Sequence, residues 1–168
     1  MKKIIFLLLF TPLASMAQSP YAADVQSEDA ILKAIYEVIS GSPEEPRDWE
    51  RFRYLFAEGA TLNPTLLTPE GKVKHIQWTP DQYVEMFTTQ RKNIGFYEKE
   101  VNRVSEAYGN IYHAFSTYAI RESLDGPVVR RGINSFQLIK TEERWYILSI
   151  LWSNETEKDP IPDKYAGK

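Results

Sequence analysis

The stretch Arg131–Glu155, RGINSFQLIKTEERWYILSILWSNE, constrains this chain more than any other. It reads as two long strands joined by a charged turn, Thr141-Glu142-Glu143-Arg144. Side chains alternate between the two faces of a strand. In the first strand Asn134, Phe136 and Leu138 therefore share one face, and Ile133, Ser135, Gln137 and Ile139 share the other. In the second, Trp145, Ile147, Ser149 and Leu151 alternate with Tyr146, Leu148, Ile150 and Trp152. A strand apolar on both faces is usually central and covered on both sides. The chain's own helices supply one cover. A second copy of the chain is the expected other.

Upstream, helical spacing and strand alternation give a clear order. Ile31, Leu32, Ile35, Val38 and Ile39 recur at helical spacing over 29–39, with Ser27 as N-cap and Gly41 as terminator. Residues 48–56 form a short second helix. Residues 60–63 form a short strand stopped by Pro64, and 73–78 form another. Thr79-Pro80-Asp81 opens a third helix, with Pro80 at the first helical position, running to about residue 93. Long strands follow over 96–107, 110–124, 128–140 and 145–154. Residues 18–25 read as a loose leader, and 156–168 as a tail that lies on the surface or frays. This is an α+β pattern with helices gathered on one face of an antiparallel sheet.

The N-terminus carries its own message. Lys2 and Lys3 precede an apolar run from Ile4 to Phe10, then Ser15-Met16-Ala17. That is a signal-peptide signature over 1–17, with cleavage before Gln18. The run is shorter than the roughly 20 residues that span a bilayer. The chain has no cysteine, so neither a lipid at the cleavage point nor a disulfide is expected. The expected location is periplasmic or secreted, with no membrane attachment after cleavage. Cleavage leaves 151 of the 168 residues, and losing both lysines moves the net charge from −3 to −5. One domain is the natural count at that length. An acidic chain without a basic cluster argues against a nucleic-acid partner.

The element order, together with ISG at 39–41, RYLFAEGATLNP at 53–64, RGINSFQLIK at 131–140 and RWYILSILW at 144–152, resembles the nuclear transport factor 2-like (NTF2-like) superfamily. Within it the chain is most similar to the SnoaL-like, ketosteroid-isomerase-like bacterial branch. The resemblance covers about residues 27–155. It implies a cone-shaped, cystatin-like α+β fold, in which a curved antiparallel sheet wraps three N-terminal helices and leaves a pocket open at one end. It also implies a homodimer through the outer sheet face. It does not imply an activity, because this fold hosts enzymes as well as binding and assembly modules. In the isomerase branch a catalytic aspartate stands just before the proline of the segment resembling residues 60–64. Here that position is Asn63, and an amide cannot act as a general base.

Other residues must therefore carry any chemistry. The chain has two histidines. His75 reads as exposed. His113, mid-strand, reads either as a general base in the pocket or as a histidine bonded to a neighbouring strand. The expected pocket lining is Phe87 from the third helix with His113, Tyr118, Asn134 and Trp152 from the strands. Arg131, before Gly132, reads either as a clamp for a carboxylate at the pocket mouth or as half of an inter-strand ion pair. His113 and Tyr118 have opposite parity, as do Trp152 and Trp145, so this lining requires at least one bulge. Glu98 and Glu100 read as a solvated strand face. Cysteine is absent and the histidines lie on different elements, so no metal site is expected, and no cofactor.

Three functions fit these residues. The first is a module holding a small apolar or amphipathic molecule in the cone. The second is a lyase- or isomerase-like enzyme using His113, with Tyr118 or Arg131 as its acid–base partner. The third is a dimerising structural module whose cone is filled.

Overall fold

Capping chemistry sets the helices. In the computed structural model, which describes residues 19–167, α1 spans Glu28–Ile39 and Ser27 Oγ accepts from the Ala30 amide at 3.1 Å. α2 spans Trp49–Tyr54 under an Asp48 cap. α3 spans Pro80–Gln90, where Thr79 and Gln82 form a reciprocal capping box. The leader 1–17 lies outside the described residues. The segment after it is not loose: Ala22–Val25 is a short 3-10 helix, Val25 is buried in the core, and Asp24 binds Arg51 through two hydrogen bonds of 2.7 and 2.8 Å.

The sheet is curved and six-stranded, in the order β2-β1-β6-β5-β4-β3. Its strands are β1 Phe56–Leu67, β2 Val73–His75, β3 Tyr97–Tyr108, β4 Ile111–Arg121, β5 Arg130–Lys140 and β6 Trp145–Asn154. It is not wholly antiparallel, because β1 and β6 run parallel. The chain leaves β1 for β2, α3 and the β3–β5 meander, then returns alongside β1 in the same direction. β1 is also longer than 60–63 and runs through Pro64. The proline is tolerated because residues 62 and 64 turn their backbones toward the short β2 side. There Leu62 exchanges both bonds with Trp78, and the Pro64 carbonyl accepts from Ile76.

Two bulges decide which residues face the helices. Glu100 pairs with Tyr118 and Asn102 with Thr117, so Val101 is an extra residue in β3. Gln137 pairs with Ser149 and Leu138 with Ile147, so Leu148 is extra in β6. One extra residue reverses the parity beyond it. The β6 bulge puts Trp145, Ile147, Ile150, Trp152 and Asn154 on one face. β4 and β5 pair without interruption from Ile111 to Ile120. On β4, Tyr112, Ala114, Ser116, Tyr118 and Ile120 therefore face inward, and His113, Phe115, Thr117 and Ala119 face outward.

The core is strongly aromatic. Phe52 is fully buried, stacks on Tyr83 at 5.3 Å and 13°, and meets Trp49 and Phe56 edge-on or tilted. Outside the sheet, the tail folds back rather than fraying. α4, Asp163–Ala166, lies on the outer face of β3 and β4, where Thr117 Oγ1 donates to the Tyr165 carbonyl at 2.6 Å and Tyr165 packs on Phe115.

Candidate functional site

The concave side of the sheet encloses a cavity of about 230 Å³. Aromatic and aliphatic side chains form most of its wall, including Phe52, Leu62, Trp78, Tyr83, Phe96, Ile120, Phe136 and Trp152. The polar lining comprises Tyr36, Gln90, Arg91, Glu98, Tyr118, Arg130, Asn134 and Asn154. Few polar groups in an apolar wall is the usual build of a small-molecule site, and the volume lies below the roughly 300 Å³ where such sites usually begin.

Glu98 is the chemical centre of this lining. Its place is set from below by the end of α1. Gly41 and Phe96 exchange both backbone hydrogen bonds, at 2.8 and 3.0 Å. Ser40 Oγ accepts from the Glu98 amide at 3.0 Å and donates to the Tyr36 and Glu98 carbonyls. Gly41 holds φ at +149°, and a Cβ there would stand 2.7 Å from the Arg47 guanidinium. The Ile39-Ser40-Gly41 stretch is thus the clamp that starts β3 in register.

The Glu98 carboxyl accepts one protein hydrogen bond, from Asn134 Nδ2 to Oε1 at 3.0 Å, and its Oε2 accepts none among the described residues. Burial pushes its pKa up to about 7, outweighing the Asn134 hydrogen bond and the more distant charges of Arg91 and Arg130, which pull it down. Glu98 therefore changes protonation near neutrality.

Glu100, two residues on and facing the same way, has the opposite surroundings. Arg103 grips it with two bonds of 2.9 and 2.6 Å, and the Ser116 hydroxyl donates to it at 2.5 Å. The Val101 bulge makes this fork possible by bringing Arg103 onto the face of Glu100. Because Ser116 spends its hydrogen on Glu100, the Tyr36 hydroxyl donates to Ser116 at 2.6 Å and accepts from Asn134 Nδ2 at 3.0 Å. Asn134 thus ties Glu98 to a fixed chain of buried polar groups. Burial also raises the pKa of Tyr36, Tyr83 and Tyr118, with the negative charge of Glu98 adding to the effect in each. All three phenols are neutral hydrogen-bond donors at physiological pH. Tyr118 donates to Asn154 Oδ1 at 2.8 Å.

The structure brings together Tyr118, Asn134 and Trp152 of the residues expected from the sequence. It does not place Phe87, His113 or Arg131 with them. Phe87 lies behind the wall, packed on Trp49, Tyr83 and Phe96. Arg131 faces outward, 3.4 Å from Glu155 and from the Ala166 carbonyl. His113 lies on the outer face against Phe115, because β4 carries no bulge between it and Tyr118. Asn63 also points outward, to Thr61 and Ser149. Replacing His113 with glutamine is expected to leave ligand binding to the cavity unchanged within about twofold, read by calorimetry, since no cavity group touches it.

Glu98 and Glu100 are not a solvated face. One signal for Glu98 was available: it shares strand parity with the apolar Phe96, two residues earlier. Arg91 and Arg130 gave none, since each belongs to the cavity only through tertiary packing.

Neither a family model nor a curated protein matches this sequence. Solved structures do. A protein of unknown function with a cystatin-like fold from Nostoc punctiforme superposes with a TM-score of 0.57 at 11% identity, covering 79% of this chain and 96% of that one. An NTF2-like protein from Cytophaga hutchinsonii gives 0.55 at 11%, covering 77% and 98%. The chain has the NTF2-like fold. A candidate ketosteroid isomerase from Parabacteroides distasonis shares this NTF2-like fold at a TM-score of 0.54 and 12% identity, covering 82% of this chain and 99% of that one. The S. rosetta CaMKII hub shares it at 0.50 and 14%, covering 75% and 89%. Identities this low carry the fold alone, so function must be argued from the cavity.

Proposed function

We propose that this NTF2-like protein binds a small amphipathic molecule in its cone and that Glu98 exchanges a proton with it. The observation that carries this reading is a carboxyl group with one unengaged oxygen, titrating near neutrality, in an aromatic cavity. An apolar body would lie against Trp78, Tyr83, Phe96 and Trp152. A carbonyl or hydroxyl on it would meet Glu98 Oε2. Asn134 would hold the carboxyl in place through the transfer, and the neutral Tyr83 phenol, whose hydrogen no described residue accepts, would supply the opposing donor. The second reading from the sequence, an acid–base enzyme, thus survives with Glu98 in the role first considered for His113. A cavity of about 230 Å³ among these side chains favours an occupied cone over the filled cone of the third reading.

Export through the leader 1–17 and pairing of two copies belong to the same reading. Leu148 and Leu151 on the outer face of β6 are 39% and 42% exposed, on a strand separated by β5 from those that α4 covers. Native mass spectrometry of protein purified from its own host tests all three parts. The expected species is a dimer of chains beginning at Gln18, each with a retained small molecule. A chain that still begins at Met1 would overturn export, and a monomer at micromolar concentration would overturn pairing. An adduct-free mass, together with a Glu98 carboxyl that titrates near 4.5 by carbon NMR, would overturn the site.

A further inference from the structure

Two arginines line the cavity without a carboxylate partner. Arg91, just past the end of α3, and Arg130, the first residue of β5, both belong to the cavity wall. Neither guanidinium makes an ion pair or a side-chain hydrogen bond among the described residues, whereas Arg51, Arg53, Arg103 and Arg131 all do. Arg91 has a structural contact of another kind. Its guanidinium lies 4.4 Å from the centre of the Phe96 ring and 5.8 Å from that of Phe87. Stacking of this sort uses the flat face of the group and leaves its N–H edge free. Arg130 is exposed at the cavity's rim, where a shallow recess with Arg131 and Glu155 adjoins it.

Two guanidiniums on the wall of one cavity, with donor edges unspent, suit an anion bound between them. Glu98 feels both charges but makes no ion pair or hydrogen bond with either guanidinium among the described residues, and near neutrality it is only partly ionised, so both sets of donors stay unspent. We infer that the molecule bound in the cone carries a carboxylate, held at the cavity mouth by the N–H edges of Arg91 and Arg130, while its apolar body lies among the aromatic side chains. This inference rests on the proposed small-molecule site and specifies its ligand class. A monoanion suits the site better than a phosphate, because a dianion would lie near Glu98 with more negative charge than two arginines offset.

Isothermal calorimetry at low salt with 2-naphthoate and 2-naphthylmethanol tests it, since the two share a body and differ in charge. Wild-type protein should bind the carboxylate about tenfold or more tightly than the alcohol, as charge-assisted hydrogen bonds would give. Arg130→Gln should remove most of that preference while changing alcohol binding less than about threefold, and Arg130→Lys should restore only part of it. Arg91→Gln should act likewise, with Arg130→Gln standing alone if loss of the stacked guanidinium unfolds the chain. Equal binding of both probes by wild type would overturn the inference and leave the pocket reading intact, as would a preference that survives in the double variant. Binding of neither probe would overturn both.

Discussion

Replacing Glu98 with glutamine should raise the melting temperature above pH 7 and leave it nearly unchanged at pH 4.5. The carboxyl titrates near 4.5 in the unfolded chain and near 7 in the folded one, because folding removes it from water. A carboxyl whose pKa rises on folding contributes most below the unfolded value, where both states are protonated. That contribution is lost as pH rises toward the folded value, since the unfolded chain then releases a proton that the native one retains. Glutamine mimics the protonated group at every pH. The difference in stability between variant and wild type should therefore grow from pH 4.5 to 7 and level off above it. Its upper end is on the order of 3 kcal/mol, from 1.36 kcal/mol per pKa unit, or about 6–12 °C in a domain of this size. The same substitution should abolish proton exchange with a bound molecule, because an amide cannot take up the proton. Calorimetric melts of both proteins between pH 4 and 9 read the first effect. A melting difference that stays constant across this range would show that Glu98 is solvated.

Gly132→Ala should be the most damaging single-methyl change in the sheet. A Cβ at Gly132 would stand 2.3 Å from the Ser153 carbonyl oxygen and 2.3 Å from the Tyr118 hydroxyl. The first obstacle is backbone in the neighbouring β6 and cannot rotate away. The second is a ring held by its bond to Asn154. Overpacking of a tight core costs about 1–3 kcal/mol, and losing the Tyr118–Asn154 bond adds about 1 kcal/mol. We expect a total near 3 kcal/mol, or a fall of about 6–12 °C in melting temperature. A fall of less than 2 °C would mean that β5 and β6 shift apart freely. This glycine is space for Tyr118, in a stretch where β4 and β5 pair regularly.

What the amino-acid sequence determined by itself is local. Ser27, Asp48 and the Thr79-Pro80 pair start their helices because their side chains satisfy amides that a helix leaves open. Alternation marks β3 to β6, and the polar turn marks the last hairpin. These signals, with the element order, were enough for the architecture. What tertiary structure decided is which face each residue presents. Alternation has period two, so one extra residue reverses everything after it, and the bulge itself is a property of two paired strands rather than of one segment. The Leu148 bulge reconciles Trp145 with Trp152, the Val101 bulge gives Glu100 its arginine, and the lack of one in β4 keeps His113 away from Tyr118. The parallel pairing of β1 with β6 likewise depends on partners far along the chain. Glu98 owes its chemistry to the same cause: Glu98 and Glu100 look alike in the sequence, and only packing leaves one of them in the cavity with a single amide donor and the other in the grip of Arg103.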